Sequence, residues 1–110
     1  MNNRKYLTYI GFAIKAGKCG VGATACESDL ERSRTEILLC SNHASVRTRE
    51  KFEMMCEQKG VEFRLVHEDI GMLIGKPGTY LFSINDKELS GAIKNELDAN
   101  AALGVHGYNE

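Results

Sequence analysis

The run Ala16-Gly17-Lys18-Cys19-Gly20-Val21-Gly22-Ala23-Thr24-Ala25 sets three glycines and a lysine between two segments of apolar periodicity. Glycine lets a backbone approach a ligand closely, and a helix that opens after Gly22 aims its free N–H groups outward. Joined to a lysine, that is phosphate-holding chemistry. The charge distribution agrees. Before Glu27 the chain carries Arg4, Lys5, Lys15 and Lys18 and no acid, whereas all of its 15 acidic residues fall at Glu27 or later. Nucleic acid is therefore the first partner to consider. The same residues also suit a tight turn with two solvated lysines.

Other chemistries find less support. Gly17-Lys18 lacks the Ser or Thr that follows the lysine of a phosphate-binding P-loop, because Cys19 stands there. Gly75-Lys76 lies between a helical and a strand pattern, the wrong order for that motif. Gly17, Gly20 and Gly22 do not make G-x-G-x-x-G. None of the histidines, His43, His67 and His106, sits in a nucleophile–base signature, so no enzyme and no cofactor is expected. The cysteines Cys19, Cys26, Cys40 and Cys56 form no C-x-x-C pair. Cys40-x-x-His43 offers two metal ligands without a second pair at zinc-site spacing. Each cysteine lies in or beside an apolar pattern, which predicts reduced thiols acting as small buried hydrophobes, with no metal.

Something must position the glycine-rich run. A chain of 110 residues is the size of one domain with one core. Its 43% apolar and 26% charged content is that of a globular protein. A net charge of −1 confines any nucleic-acid site to a local patch. No apolar run approaches the ~20 residues of a membrane span. Met1-Asn2-Asn3-Arg4-Lys5 leads into Tyr6-Leu7-Thr8-Tyr9 rather than a signal-peptide core, so the expected location is cytoplasmic, with no membrane partner.

Leu7, Ile10, Ala13 and Ile14 make one helical stripe over Arg4 to Lys15, ended by Gly17. Lys18 to Val21 reads as a short strand. Gly22 opens a second helix to Ser33, with Cys26 and Leu30 inward and Glu27, Asp29 and Glu31 toward solvent. Thr35 to Ser41 has the continuous apolar centre of a strand covered on both faces. Ser45 is a candidate N-cap for a helix from Val46 to Lys59, which Gly60 terminates. Arg47, Arg49 and Lys51 crowd its first turns. Val61 to Val66 reads as a strand and His67 to Ile74 as a short helix with Ile70, Leu73 and Ile74 inward. Gly75-Lys76-Pro77-Gly78 is a turn. Thr79 to Ile84 is a fourth strand, and Asp86 caps a last helix bearing Leu89, Ile93 and Leu97. The expected fold is a three-layer α/β/α sandwich around a four-stranded mixed sheet. Residues 1–98 form the domain, and residues 99–110 a partly mobile tail.

Several of these segments resemble the L-seven-Ae/L-thirty-e ribosomal-protein family, especially its small stand-alone bacterial members. The resemblance rests on Gly11-Phe12-Ala13-Ile14-Lys15-Ala16-Gly17-Lys18, Gly22, Ile37-Leu38-Leu39, Ala44-Ser45, Thr48, Lys51, Cys56-Glu57 and Ile70-Gly71-Met72-Leu73-Ile74-Gly75-Lys76. Asn85-Asp86-Lys87 through Ala92-Ile93 extends it, so it covers most of Lys5 to Leu97. It implies binding to structured RNA, often a kink-turn, through Gly22-Ala23-Thr24 and Gly75-Lys76-Pro77-Gly78. Family members that bind kink-turns follow the glycine with Asn-Glu, Gly-Glu or Glu-Glu and place a lysine a few residues on. Here Ala23, Thr24 and Ser28 stand instead. That departure implies altered or relaxed specificity. The phosphate contacts are expected from Lys15, Lys18 and Lys76 with backbone N–H groups near Gly22, and Arg47 and Arg49 extend the patch. The implied role is ribosome-associated, with ribosomal RNA and ribosomal proteins as partners. The alternative is a protein-interaction module on the same fold that has lost RNA binding.

Overall fold

All five residues of the strand Ile37–Ser41 (β2) are buried, which requires cover on both of its faces. Side chains alternate along a strand, so Ile37 and Leu39 face one way and Leu38 and Cys40 the other. The computed structural model, which describes residues 4–102, puts helices on both sides. On the Ile37 and Leu39 side lie α1 (Lys5–Lys15), α4 (Ile70–Leu73) and α5 (Lys87–Ala102), which contribute Tyr6, Ile10, Ala13, Ile70 and Ile93. On the Leu38 and Cys40 side lie α2 (Ala23–Glu31) and α3 (Val46–Lys59), which contribute Cys26, Leu30, Phe52 and Cys56. The α/β/α sandwich expected from the sequence is the fold observed.

The remaining strands are β1 (Cys19–Val21), β3 (Glu62–Val66) and β4 (Leu81–Ile84), in the sheet order β1-β4-β2-β3. The crossover through α3 makes β2 and β3 parallel, with Leu39 opposite Arg64. The strand β4 enters between β1 and β2 and runs against both, pairing Phe82 with Val21 and with Leu39. The C-terminal ends of β1, β2 and β3 therefore share one end of the sheet with the start of β4. That end, called the upper end, receives the loops that begin α2 and α3. The lower end receives the chain before β1 and after β4.

Caps fix the helix limits. Ser45 Oγ accepts from Thr48 N–H at 3.1 Å and starts α3, and Gly60 stops it at a left-handed φ of 69°. Asp69 accepts from Met72 N–H at 3.2 Å, so α4 starts at Ile70 and not at His67. Leu73, expected inward, is exposed in this four-residue helix. Asp86 accepts from Leu89 N–H at 2.9 Å at the start of α5. That helix continues past Asp98 to Ala102, four residues beyond the limit read from the sequence. The rest of the expected tail lies outside the described residues. One expectation reverses: Asp29 is buried rather than facing solvent. Ser83 projects from β4 into the α2 layer, and its hydroxyl donates to Asp29 Oδ2 at 2.8 Å, joined there by Asn85 Nδ2 at 2.9 Å. A buried hydroxyl needs such a partner, and Asp29 supplies it.

Candidate nucleic-acid interface

Three segments converge at the upper end. The first is the start of α2. Gly22 caps it at φ 93°, a conformation that L side chains rarely adopt, and its N–H donates to Leu81 O at 2.9 Å, which ties the helix start to β4. No side chain caps α2 and no acid lies in its first turn. Its first N–H groups are left for an outside acceptor, and the helix dipole adds partial positive charge there. Ala23 and Thr24 are exposed at this spot.

The second segment is the β2–α3 loop and the first turn of α3. Ser45 is consumed in capping, but Arg47 and Arg49 project from the adjoining turn of the helix. His43 stacks on Tyr80, with ring centroids 6.4 Å apart and planes 18° from parallel. The third is the loop from Gly75 to Gly78, which lies at the surface. Its position is set by Gly71. Lys76 N–H donates to Gly71 O at 2.6 Å, and a Cβ at residue 71 would collide with the carbonyls of Lys76 and Thr79. A pocket of about 200 Å3 joins the three segments, with Gly22 and Ala23, Ser45 and Thr48, and Gly78 and Thr79 in its walls.

The structure divides the residues expected to act together. Gly22, Ala23, Thr24 and the loop Gly75-Lys76-Pro77-Gly78 attach to the upper end. Lys15 and Lys18 do not. Lys18 precedes β1, where its carbonyl accepts from Asn85 N–H at 2.8 Å, while Gly22 comes after the strand. Four residues of extended chain put their Cα atoms about 13 Å apart. Lys18 Nζ also faces Asp86 Oδ1 at 3.7 Å. Lys15 lies in the last turn of α1, which delivers the chain to the lower end of β1. The expectation that the Lys18 and Lys76 loops share one end is thus corrected, because β1 is a strand and holds its two flanking loops at opposite ends of the sheet. Arg47 and Arg49 take the place of the two lysines. Their signal in the sequence is a pair of arginines close behind the N-cap Ser45. Neither they nor Lys76 form an ion pair with a carboxylate among the described residues. Lys51, one turn on, is held by Glu27 at 3.2 Å.

The thiols do not offer reactive chemistry. Burial pushes Cys19 and Cys26 up to about 12, and Lys76 only partly opposes this at Cys19. Burial likewise raises Cys40, against the pull of Arg49, and Cys56 to about 11. Protonated thiols are poor nucleophiles and poor metal ligands. Among the described residues no three His, Cys, Asp or Glu side chains group as a metal site. Among the same residues no helix is long and apolar enough to cross a membrane.

No protein-family model matches the chain, and no curated protein matches it in sequence. Solved structures do match in shape. A protein of unknown function from Bacillus halodurans superposes with a TM-score of 0.79 at 19% identity, covering 87% of this chain and 99% of that one. The 15.5kD RNA binding protein of Giardia lamblia superposes with a TM-score of 0.70 at 17% identity, covering 94% of this chain and 93% of its own. Both likenesses concern the fold.

Proposed function

We infer that this protein binds structured RNA through its upper end. The observation that carries the reading is the uncapped start of α2, free of acids in its first turn and sharing a pocket with the start of α3 and the Gly75–Gly78 loop. Free N–H groups hold phosphate, and Arg47, Arg49 and Lys76 supply mobile charge around them. The stacked His43 and Tyr80 rings offer a face on which an unpaired base can pile, a common mode for folded RNA. The Giardia neighbour is an RNA-binding protein and not an enzyme, which supports RNA as the partner class. The resemblance to the L-seven-Ae/L-thirty-e family supports a kink-turn-like target in a ribosomal setting. Ala23 and Thr24 offer no carboxylate to the guanine edges of such a motif, so recognition rests on backbone and shape, with relaxed specificity.

The test is a titration of a kink-turn RNA and a plain hairpin at two salt concentrations. Arg47→Glu with Lys76→Glu should weaken both complexes about tenfold or more and flatten the salt dependence by roughly one unit per lost phosphate contact. Lys15→Glu with Lys18→Glu, at the lower end, should change affinity far less. If the lower-end pair matters more, the interface lies elsewhere. A protein-interaction role has its own observation in the exposed Phe12, Met72 and Leu73. Co-purification of a protein that survives nuclease treatment, from a chain that binds neither RNA, would select it.

A further inference from the structure

The lower end holds a larger pocket of about 460 Å3, on the far side of β1 from the proposed RNA surface. Its floor is Asp29, Asn85 and Gly20, its wall includes Ala25, and its rim carries Lys18 and Arg34. The floor consists of acceptors. Asp29 Oδ2 is satisfied by Ser83 and Asn85. Asp29 Oδ1 has only the Arg34 guanidinium at 3.8 Å, beyond hydrogen-bond length. Asn85 spends its Nδ2 on Asp29, and its Oδ1 is buried with no hydrogen-bond partner. Buried acceptors left open are costly, so two in one cluster mark a place for a group with two N–H donors. Gly20 keeps the arrangement possible, since a Cβ there would run into the Asp29 carboxylate and the Ser83 hydroxyl.

The rim defines the rest of the ligand. Lys18 and Arg34 side chains are 50% and 56% exposed, so both are free to reach an anion at the mouth. A cationic donor such as a free guanidinium would be repelled by them. A neutral donor edge joined to an anionic tail fits both parts. Among nucleobases guanine presents adjacent N1–H and N2–H donors. Adenine and cytosine each set a ring acceptor beside the amino group, and uracil flanks its N3–H with carbonyls. The volume is within the usual range for small-molecule sites. We propose that this pocket binds a free guanine mononucleotide, with the base edge on Asp29 and Asn85 and the phosphate at Lys18 and Arg34.

Calorimetric titration of the purified chain with GMP, AMP and guanosine tests this. GMP should bind about tenfold or more tighter than AMP, because the wrong base leaves the floor acceptors unpaired. Lys18→Ala with Arg34→Ala should bring GMP to the level of guanosine and leave guanosine unchanged. Asp29 also holds α2 on the sheet, so its variants risk misfolding. Ala25→Leu, which fills the pocket from its wall, is the safer blocking variant and should abolish binding while circular dichroism stays native. Arg47→Ala with Arg49→Ala should leave GMP binding intact. The proposal is overturned by no GMP binding at millimolar concentration, by equal affinity for AMP, by unchanged binding in Ala25→Leu, or by loss of binding in the Arg47 and Arg49 variant.

Discussion

At the scale of single residues, the determining contacts are those where one atom more or less changes the packing. Gly20 lies under a buried carboxylate, and its missing Cβ is the space in which Asp29 and Ser83 bond. Gly20→Ala must push the carboxylate off Ser83 or shift α2. Either outcome leaves buried polar atoms unpaired or overpacks the layer, each worth about 1–3 kcal/mol. Urea unfolding should show a midpoint lowered to match. Gly17→Ala has open space at its Cβ position but a φ of 72°, so its cost is backbone strain alone. An unchanged midpoint for Gly20→Ala would refute the close approach. Asp29 itself was not legible in the sequence. An acid in an amphipathic helix reads as solvent-facing, and only the tertiary pairing of β4 against β1 brings Ser83 and Asn85 beneath it.

At the scale of elements, caps and apolar spacing were readable because they act within a few residues. Ser45, Gly60 and Asp86 each do what local chemistry predicts. The stripe of Leu89, Ile93 and Leu97 lies against the core as its spacing requires. The start of α4 was harder, since Asp69 captures the Met72 N–H and shortens a pattern that begins earlier in sequence. The grouping of basic residues was harder still. Proximity in sequence placed Lys18 with Gly22, but a three-residue strand puts them at opposite ends of the sheet, and the α3 arginines arrive by a non-local pairing. The start of α2 carries its own prediction. The family resemblance implies that Asn, Glu and a later Lys read base edges there, where this chain has Ala23, Thr24 and Ser28. Installing Ala23→Asn, Thr24→Glu and Ser28→Lys should tighten kink-turn binding. One well-placed contact to a base edge is worth about 1–3 kcal/mol, and about 1.4 kcal/mol is tenfold in affinity. The gain should not extend to a plain hairpin. Tight kink-turn binding by the unmodified protein would show instead that the backbone contacts suffice.

At the scale of the whole molecule, two apolar layers enclose thiols whose titration couples to folding. Cys26, Cys40 and Cys56 occupy the α2–α3 side of the core, and Cys19 is half-buried on the other. Burial raises all four above the model-compound value of 9.0, to about 11 or 12. Below pH 9 both folded and unfolded chains keep these protons, so the thiols add no pH dependence. Above pH 9 the unfolded chain releases protons that the folded chain retains. Stability should then fall as pH rises, by up to about 1.4 kcal/mol per pH unit for each such thiol, until the folded-state values are passed. Urea midpoints should be nearly flat in this respect from pH 7 to 9 and drop beyond it. Cys26→Ala should soften the alkaline drop. Tyrosines and lysines also titrate in that range, so a direct measurement of the thiols is needed beside the midpoints. A colorimetric disulfide reagent at pH 8 should modify the native protein slowly and all four cysteines at once in denaturant, because reaction requires a thiolate that burial suppresses. Rapid reaction of four thiols without denaturant would show that the two layers open readily, and the alkaline drop should then vanish with the burial that causes it.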